Sequence, residues 1–341
     1  MEKRYCLGKP QDDRQIELLA QKFSTPETSD YLRQMFTTIV KLSCELKDMG
    51  DIKLINSTLK ELRYAFKVFA PYRNKRKIVM FGSHKVSDRS GEYKSAEEFS
   101  RKISLRGFMV ITGGGGGIME AGNKAAGPGN SFAVNIKLPT EQVPNAYVRG
   151  EKLITLKYFF TRKLIFLKES DATALFPGGF GTHDEAFEVL TLLQTGKTNP
   201  RPLVFVDTKL GGYWKDWFSF IKKHMLAKKL LYNNDLSLFK ITSNVNEAVA
   251  FVSDFYRNYH SLRYVGERTI LRLNNEVSEK QIESLSDKYR DILVCGNIEA
   301  CKPTTEELRD KDSLDLFRLG FNFNRFSYGR LHSLIHDINK L

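Results

Sequence analysis

Two glycine-rich turns are the parts of this 341-residue chain best suited to chemistry. Residues 112–121 are TGGGGGIMEA and residues 177–185 are PGGFGTHDE, and each segment joins a predicted strand to a predicted helix. Glycine lets the backbone adopt positive φ and approach a ligand closely. The free N–H groups and the dipole of the following helix then favour an anion. Together the turns predict a phosphate-sized anion site, although either one alone could be a tight strand-to-helix turn.

Two common nucleotide-binding patterns fail on these glycines. The ATP-binding pattern GxxxxGK[ST] would need a glycine five residues before Gly196, where the chain has Thr191. The dinucleotide pattern GxGxxG fails in both turns, and in the second turn Asp184 occupies the place of the third glycine. ATP hydrolysis and NAD chemistry therefore lose support, and a monophosphate-sized site remains.

Carboxylates follow the second turn, at Asp184, Glu185 and Glu188. We predict a helix over residues 184–194, which places the first two acids beside the positive end of its dipole. That dipole lowers a carboxyl pKa, so an ionised side chain is expected at neutral pH. A carboxylate about one turn from a bound anion suits a sugar phosphate whose reacting carbon becomes cationic. The alternative is that the acids only complement the dipole, and spacing alone favours that alternative.

The charge distribution also indicates an anionic ligand. The chain has 53 basic and 40 acidic residues, a net charge of +13. Residues 76–262 hold 26 basic and 17 acidic residues, a net +9, so most of the excess lies in the middle of the chain. Such a module is typical of proteins that bind a small phosphate or a nucleic acid, but a generally basic surface would look the same.

Composition excludes several classes of protein. At 41% apolar and 27% charged residues, the chain is not disordered as a whole, and it has no apolar run long enough to span a membrane. The amino-terminal residues lack the apolar core of a signal peptide, and the four cysteines have neither disulfide nor metal-site spacing. We therefore expect a cytoplasmic protein without membrane association.

Short apolar runs alternate with amphipathic stretches between residues 76 and 262, and this alternation predicts a doubly wound parallel α/β sheet of the Rossmann type. Residues 1–75 are predicted to be helical, and residues 263–341 to form a small α/β domain. In that last segment His332 and His336 stand one helical turn apart. Without a third ligand or a glutamate between them, they predict a solvated helix face rather than a metal site. The predicted strands are residues 77–81, 108–112, 132–136, 172–176, 202–206, 269–273, 292–295 and 316–323.

The motifs resemble those of a known family. Residues 177–185 resemble the PGGxGTxxE signature of the family often labelled lysine decarboxylase-like, better known for the "lonely guy" phosphoribohydrolases and bacterial nucleotide nucleosidases. The pair Arg162–Lys163, 23 residues before Glu185, is similar to the arginine–lysine pair of that family. Residues 112–121 resemble its other glycine segment. The resemblance covers about residues 77–260, and the flanking segments look like those of longer bacterial members.

The resemblance implies an activity and roles for individual residues. The activity is hydrolysis of the N-glycosidic bond of a nucleoside 5′-monophosphate, such as AMP, without a cofactor or metal. Arg162 and Glu185 would be catalytic, and the chain would form at least a dimer. The substrate and its phosphate would be bound by further residues of the three motifs and their surroundings: Gly114, Gly115, Gly117, Glu141, Lys163, Gly178, Gly179, Gly181, Thr182, Asp184 and Thr191.

Three other functions remain open on the sequence. A decarboxylase would need pyridoxal phosphate and a Schiff-base lysine, and the sequence singles out no such lysine. A non-catalytic carrier of a nucleotide or cofactor would need only the anion turns, so the presence of both Arg162 and Glu185 argues against it. A single-stranded nucleic acid is not expected as a partner, because no basic stripe is interleaved with stacking aromatic residues.

Overall fold

The structure is a computed structural model that describes residues 5–138, 143–311 and 313–341, and the chain divides into two compact units, Met1–Tyr64 and Ala65–Leu341. The first unit contains helices α1 (Pro10–Phe23) and α2 (Pro26–Glu45) and most of α3 (Met49–Phe69). Helix α2 buries Arg33 and Thr37, whereas Met35 and Ile39 are exposed. Arg33 forms hydrogen bonds with the Asp30 carboxylate and with the carbonyl of Tyr5.

A seven-stranded parallel sheet forms the centre of the second unit. The elements in chain order are β1 (Lys77–Phe81), α4 (Gly91–Leu105), β2 (Met109–Thr112), α5 (Ile118–Ala126), β3 (Ser131–Ile136), β4 (Leu153–Leu156), α6 (Phe159–Glu169), β5 (Ala172–Leu175), α7 (Phe180–Gln194), β6 (Leu203–Val206), α8 (Tyr213–Phe220), β7 (Lys240–Thr242) and α9 (Val245–Asp254). The strand order is β4-β3-β2-β1-β5-β6-β7, which confirms the predicted doubly wound α/β fold.

The strand order creates one crevice in the middle of this sheet. From β1 the chain builds outward through β2, β3 and β4, and it then returns to the other side of β1 to form β5. The loops that leave β1 and β5 therefore diverge to opposite faces of the sheet. In doubly wound folds a ligand binds at this switch point, outside the carboxyl ends of the strands.

Burial of the central strands keeps this crevice in place. All five residues of β1 are buried, as is every residue of β2, β5 and β6, which is the pattern of a parallel sheet covered on both faces. On one face Phe99 of α4 packs edge-on against Phe176, with ring centroids 5.9 Å apart. Phe176 directly follows β5, so this contact fixes the start of the second glycine turn.

The carboxyl-terminal segment adds a four-stranded antiparallel sheet with the order β10-β11-β9-β8. The predicted strand at residues 292–295 makes only a single bridge, Leu293 to Phe323, because residues 290–292 form a 3₁₀ turn and Val294 points into solvent. The elements are β8 (Tyr259–Val265), β9 (Arg268–Leu273), α10 (Glu279–Lys288), β10 (Glu299–Ala300), α11 (Thr305–Asp310), β11 (Phe317–Phe321) and α12 (Tyr328–Ile338).

The histidine pair of α12 does not form the solvated face that its spacing predicts. His332 is only 1% exposed and packs against Phe255, and burial lowers its pKa to about 3. Helix α12 turns this side towards α9 rather than towards water, which the spacing alone does not reveal. Within residues 5–138, 143–311 and 313–341, no group of three or more histidine, cysteine or acidic side chains is placed to hold a metal ion. In the same ranges, no helix combines the length and apolar character that crossing a membrane requires.

Candidate active site

A cavity of about 570 Å³ lies at the carboxyl ends of β1 and β5, in the crevice that the strand order predicts. Both glycine turns, the loop after β1 and the first turn of α6 contribute to its wall. A larger groove of about 770 Å³ lies at the ends of β6 and β7, but it contains neither glycine turn nor the arginine–lysine pair. We therefore take the smaller cavity as the candidate active site.

The second glycine turn presents backbone donors to this cavity. Helix α7 begins at Phe180, and Gly179, Gly181 and Thr182 line the wall beside it. The first N–H groups of a helix lack an acceptor one turn back. Thr182 N and His183 N donate to the carbonyl of Gly179 at 3.0 and 3.2 Å, so the amides of Phe180 and Gly181 are the ones available to an anion. Gly178 lies behind this wall, where a Cβ atom would collide with Thr182 Oγ1. Three of the predicted binding residues of this turn, Gly179, Gly181 and Thr182, thus line the cavity, and Gly178 lies behind them.

The loop after β1 forms hydrogen bonds with both glycine turns. None of its residues is among the predicted site residues. Ser83 N donates to the carbonyl of Pro177 at 3.0 Å, and the carbonyl of Ser83 accepts from Ile118 N at 3.0 Å. Ser83, His84 and Lys85 line the cavity, and the last two are exposed at its mouth. The one sequence signal for this loop is that Gly82-Ser83 directly follows β1. That signal identifies a site residue only if β1 is known to be the central strand, and the sequence does not give the strand order.

The first glycine turn serves mainly to hold the cavity wall in place. Gly113 lines the cavity, whereas the carbonyls of Gly114 and Gly115 accept hydrogen bonds from Asn145 at 2.8 and 3.1 Å. Gly117 has φ +62°, and a Cβ atom there would collide with the backbone of the loop after β1. The structure therefore places three predicted contacts, Gly114, Gly115 and Gly117, behind the wall and brings Gly113 to it.

Arg162 lies in the first turn of α6 and forms part of the cavity wall. Its Nε donates to the carbonyl of Val134 at 2.9 Å, and its Nη2 donates to the carbonyl of Gly113 at 3.3 Å. Burial lowers the pKa of the guanidinium to about 10, so it remains a cation at neutral pH. A Cβ atom at position 113 would meet Nη2 of Arg162, which explains why this position needs glycine. The predicted catalytic arginine is thus a fixed positive charge.

Glu185 lines the same cavity with a side chain that is 12% exposed. Burial raises its pKa to about 7, although the nearby Lys163 ammonium opposes the shift. The prediction that the helix dipole keeps this carboxyl fully ionised is wrong. Helix α7 begins at Phe180, four residues before the predicted start, so Glu185 lies in its second turn, where the dipole effect has faded. Desolvation therefore dominates, and the carboxyl titrates near neutral pH.

Lys163 holds the acidic side chains of α7 from the neighbouring helix. Its Nζ lies 2.7 Å from Glu188, 2.9 Å from Asp184 and 3.4 Å from Glu185. Asp184 also lines the cavity and is 60% exposed. Lys163, predicted to contact the substrate, instead places its ammonium among three carboxylates and orients Glu185.

A further predicted contact, Thr191, does not join this group. Thr191 lies further along α7 and lines a separate cavity of about 110 Å³ with Phe187 and Trp217. Glu141 falls outside the described residues. The residues that do meet at the cavity are the amides of the second turn, Arg162, Asp184 and Glu185.

Apolar side chains also contribute to the cavity wall. Met119 of α5, Leu138 after β3, and Phe159 and Phe166 of α6 line it. One cavity thus offers backbone donors for an anion, an apolar surface for a flat ring, and a buried carboxyl with a guanidinium. This combination can stabilise positive charge on a carbon atom that is held between a bound phosphate and a departing ring.

Comparisons with known proteins agree with the motifs. Residues 107–252 match the model of a family described as possible lysine decarboxylase. Among curated relatives, cytokinin riboside 5′-monophosphate phosphoribohydrolase LOG2 of Arabidopsis thaliana is 28% identical over 153 residues, covering 43% of this chain and 69% of that protein. The probable enzyme of the same name LOGL3, of Oryza sativa subsp. japonica, is 29% identical over 154 residues, covering 44% and 70%.

Solved structures show a weaker likeness. The molybdenum cofactor binding protein from Rippkaea orientalis is 21% identical and has a TM-score of 0.37, with 51% of this chain and 93% of that chain covered. A likeness of that size carries no argument about ligand or activity. The family match covers both glycine turns, Arg162 and Glu185. Through residues 107–252, the chain is similar to the family described as possible lysine decarboxylase, and the curated relatives that it matches are named as phosphoribohydrolases.

Proposed function

We propose that this protein hydrolyses the N-glycosidic bond of nucleoside 5′-monophosphates and releases the free base and ribose 5-phosphate. One observation carries the proposal: the helix amides of the second glycine turn and the buried carboxyl of Glu185 face the same cavity. The curated relatives named as phosphoribohydrolases support this reaction class. We further propose AMP as the preferred substrate among the common nucleotides.

The mechanism follows from the placement of these groups. The amides at the start of α7 bind the 5′-phosphate, which places C1′ of the ribose near Glu185. The bond between C1′ and the base nitrogen breaks with its electron pair going to the base, and C1′ takes on oxocarbenium character. The Glu185 carboxylate stabilises that positive charge and orients a water molecule. The water oxygen bonds to C1′, and the proton that it loses balances the one taken up by the base.

Arg162 and the apolar wall complete the proposed mechanism. The guanidinium is held by two carbonyls and remains positively charged, so it stabilises negative charge that develops on the phosphate or on the departing base. The base would lie against the side chains of Met119 and Phe159, which exclude water from one side of the reacting bond.

The family's descriptive name suggests a decarboxylase, but the lysines near the cavity do not fit that chemistry. A pyridoxal phosphate enzyme needs a lysine amine that is free to form a Schiff base. The Lys163 amine lies within 3.4 Å of three carboxylates, and Lys85 is exposed at the mouth of the cavity. Neither lysine therefore suits a Schiff base with that cofactor in this cavity.

We also propose that the protein forms at least a dimer, as the family resemblance implies. Exposed apolar side chains beside the cavity, Phe160 and Leu164 on α6 and Phe187 on α7, support this proposal. Burying them would remove apolar surface from water close to the site.

Direct assay of base release tests the proposed function. The purified full-length protein is incubated with AMP, GMP, CMP, UMP and IMP, and the free bases are separated and quantified. We expect release from at least AMP, with ribose 5-phosphate formed in equal amount, and no comparable release from adenosine. Absence of base release from all five nucleotides would remove the proposal.

The pH dependence of turnover follows from the raised pKa of Glu185. The mechanism uses the ionised carboxylate, and its pKa is about 7. At saturating AMP we expect kcat to rise about tenfold per pH unit below about pH 6.5 and to level off above about pH 8. At saturating AMP, protonation of the substrate phosphate does not affect kcat through a change in binding. A kcat that is flat between about pH 5.5 and 8.5, or that falls through pH 7, would contradict the role of an ionised Glu185.

A further inference from the structure

A tyrosine outside the cavity forms a hydrogen bond with the backbone of the second glycine turn. The hydroxyl of Tyr213, the first residue of α8, donates to the carbonyl of Gly178. His183 Nε2 lies 2.6 Å from the same hydroxyl oxygen. The single hydroxyl proton is used in the bond to Gly178, so His183 supplies the Nε2–H and the tyrosine oxygen accepts it. Neither side chain is among the residues that line the cavity within the described ranges.

This bond determines where the next amide points. The peptide unit between Gly178 and Gly179 is planar and trans, so its C=O and N–H point in opposite directions. Tyr213 holds the carbonyl on its own side of the loop. The N–H of Gly179 is therefore directed away from Tyr213, and Gly179 is a residue of the cavity wall.

The peptide needs such a restraint because glycines flank it. Glycine adopts positive and negative φ about equally readily, so a Gly–Gly peptide can turn over at little steric cost. Turned over, it would present the carbonyl of Gly178 to the cavity in place of an N–H. A carbonyl oxygen there would repel a phosphate, whereas the N–H binds it.

Tyr213 is itself held firmly. Its ring packs edge-on against Trp214, with ring centroids 4.8 Å apart, and Trp214 is fully buried. The His183 ring lies 5.6 Å from the same indole. Trp214 N donates to the buried carboxylate of Asp207 at 3.0 Å. The Tyr213 ring that carries the hydroxyl is 36% exposed and packs against this buried tryptophan.

We propose that Tyr213, supported by His183, is a positioning residue that fixes the Gly178–Gly179 peptide with its N–H towards the cavity and thereby sets the affinity for the substrate phosphate. This inference rests on the proposed function, because it concerns the same site. It adds a determinant that lies outside the glycine turns and the arginine–lysine pair.

The test is Tyr213→Phe in the full-length protein. Loss of one hydrogen bond at the phosphate end should raise the KM for AMP about tenfold and leave kcat within about twofold. The inhibition constant of ribose 5-phosphate should rise by the same factor, because both ligands carry the phosphate. Tyr31→Phe, which removes an exposed hydroxyl from α2, is the matched control and should change neither constant. His183→Phe keeps an aromatic ring but removes the N–H, and a smaller shift in the same direction is expected.

The outcomes separate this inference from the proposed function. The inference would be overturned if Tyr213→Phe had a wild-type KM, or if its kcat fell only in proportion to a loss of folded protein. Neither result would affect the proposed N-glycosidase function. Calorimetry with AMP and ribose 5-phosphate covers the other case. If the wild-type protein binds both but releases no base, and Tyr213→Phe weakens both about tenfold, the positioning role stands and the N-glycosidase proposal falls. If Tyr213→Phe does not fold, the ribose 5-phosphate affinity of His183→Phe decides, and an unchanged value overturns the inference.

Discussion

Replacing Glu185 with glutamine is expected to lower kcat for AMP hydrolysis by about 10²–10⁴-fold while leaving the affinity for AMP nearly unchanged. Glutamine has nearly the shape of glutamate but cannot carry the negative charge that stabilises an oxocarbenium-like carbon. In the proposed mechanism, amides at the start of α7 bind the phosphate, and this change does not alter them. Single-turnover base release gives the loss in rate, and calorimetry gives the affinity.

Glu188→Gln is the matched control for this variant. Glu188 binds the same Lys163 ammonium, at 2.7 Å, but is not among the described residues that line the cavity. We expect its kcat to stay within about threefold of wild type. Near-wild-type turnover by Glu185→Gln, or an equal loss in both variants, would remove Glu185 from the mechanism.

The free energy of unfolding should fall over the pH range in which kcat rises. The pKa of Glu185 is raised from 4.5 to about 7 on folding, so its contribution to stability is complete below about pH 4.5 and is lost as pH rises through 7. At pH 8 the buried charge therefore disfavours the folded state. We expect the Glu185→Gln protein to have a Tm at pH 8 that is equal to or above that of the wild type. Such a gain would show that the charge is kept for function rather than for folding.

The central sheet follows from the sequence because its strands are continuous apolar runs. Residues 77–81, 108–112 and 172–176 are buried on both faces, and the sequence alone predicts them within one residue. Strands β4 and β7 escape prediction because they are short and mix polar with apolar residues at the two edges of the sheet. The apolar sequence pattern that identifies a strand is weaker in an edge strand, where fewer side chains are covered by helices.

The site was predictable where chemistry lies in a contiguous motif. The second glycine turn, Arg162 and Glu185 do meet at one cavity. The loop at Ser83 and the side chain of Tyr213 escape prediction because only the tertiary fold brings them to the second turn. The predicted direction of the Glu185 pKa shift is wrong for two reasons. The sequence pattern places the start of α7 four residues too late, and the burial of a side chain cannot be inferred from its helix position alone.

Replacing Arg162 with alanine is expected to impair both binding and turnover, in contrast to Glu185→Gln. We expect kcat/KM for AMP to fall by about 10³-fold, with KM raised and kcat lowered, because the guanidinium is a fixed charge of the cavity wall. Steady-state kinetics on AMP, with calorimetry for affinity, separates the two effects. Arg149→Ala, which removes an exposed arginine that precedes β4, is the charge-matched control.

Lysine should not restore function at position 162. Arg162 uses Nε to bind the carbonyl of Val134 in β3 and Nη2 to bind the carbonyl of Gly113 after β2, so its planar fork leaves Nη1 for a ligand. A lysine ammonium cannot satisfy both carbonyls and the ligand from one atom. If Arg162→Lys retains more than about a tenth of the wild-type kcat/KM, positive charge alone is sufficient at this wall and the forked geometry is not required. If Arg162→Ala itself binds AMP with wild-type affinity, the anion is held by the helix amides without help from this side chain, and its place in the mechanism is confined to the departing base.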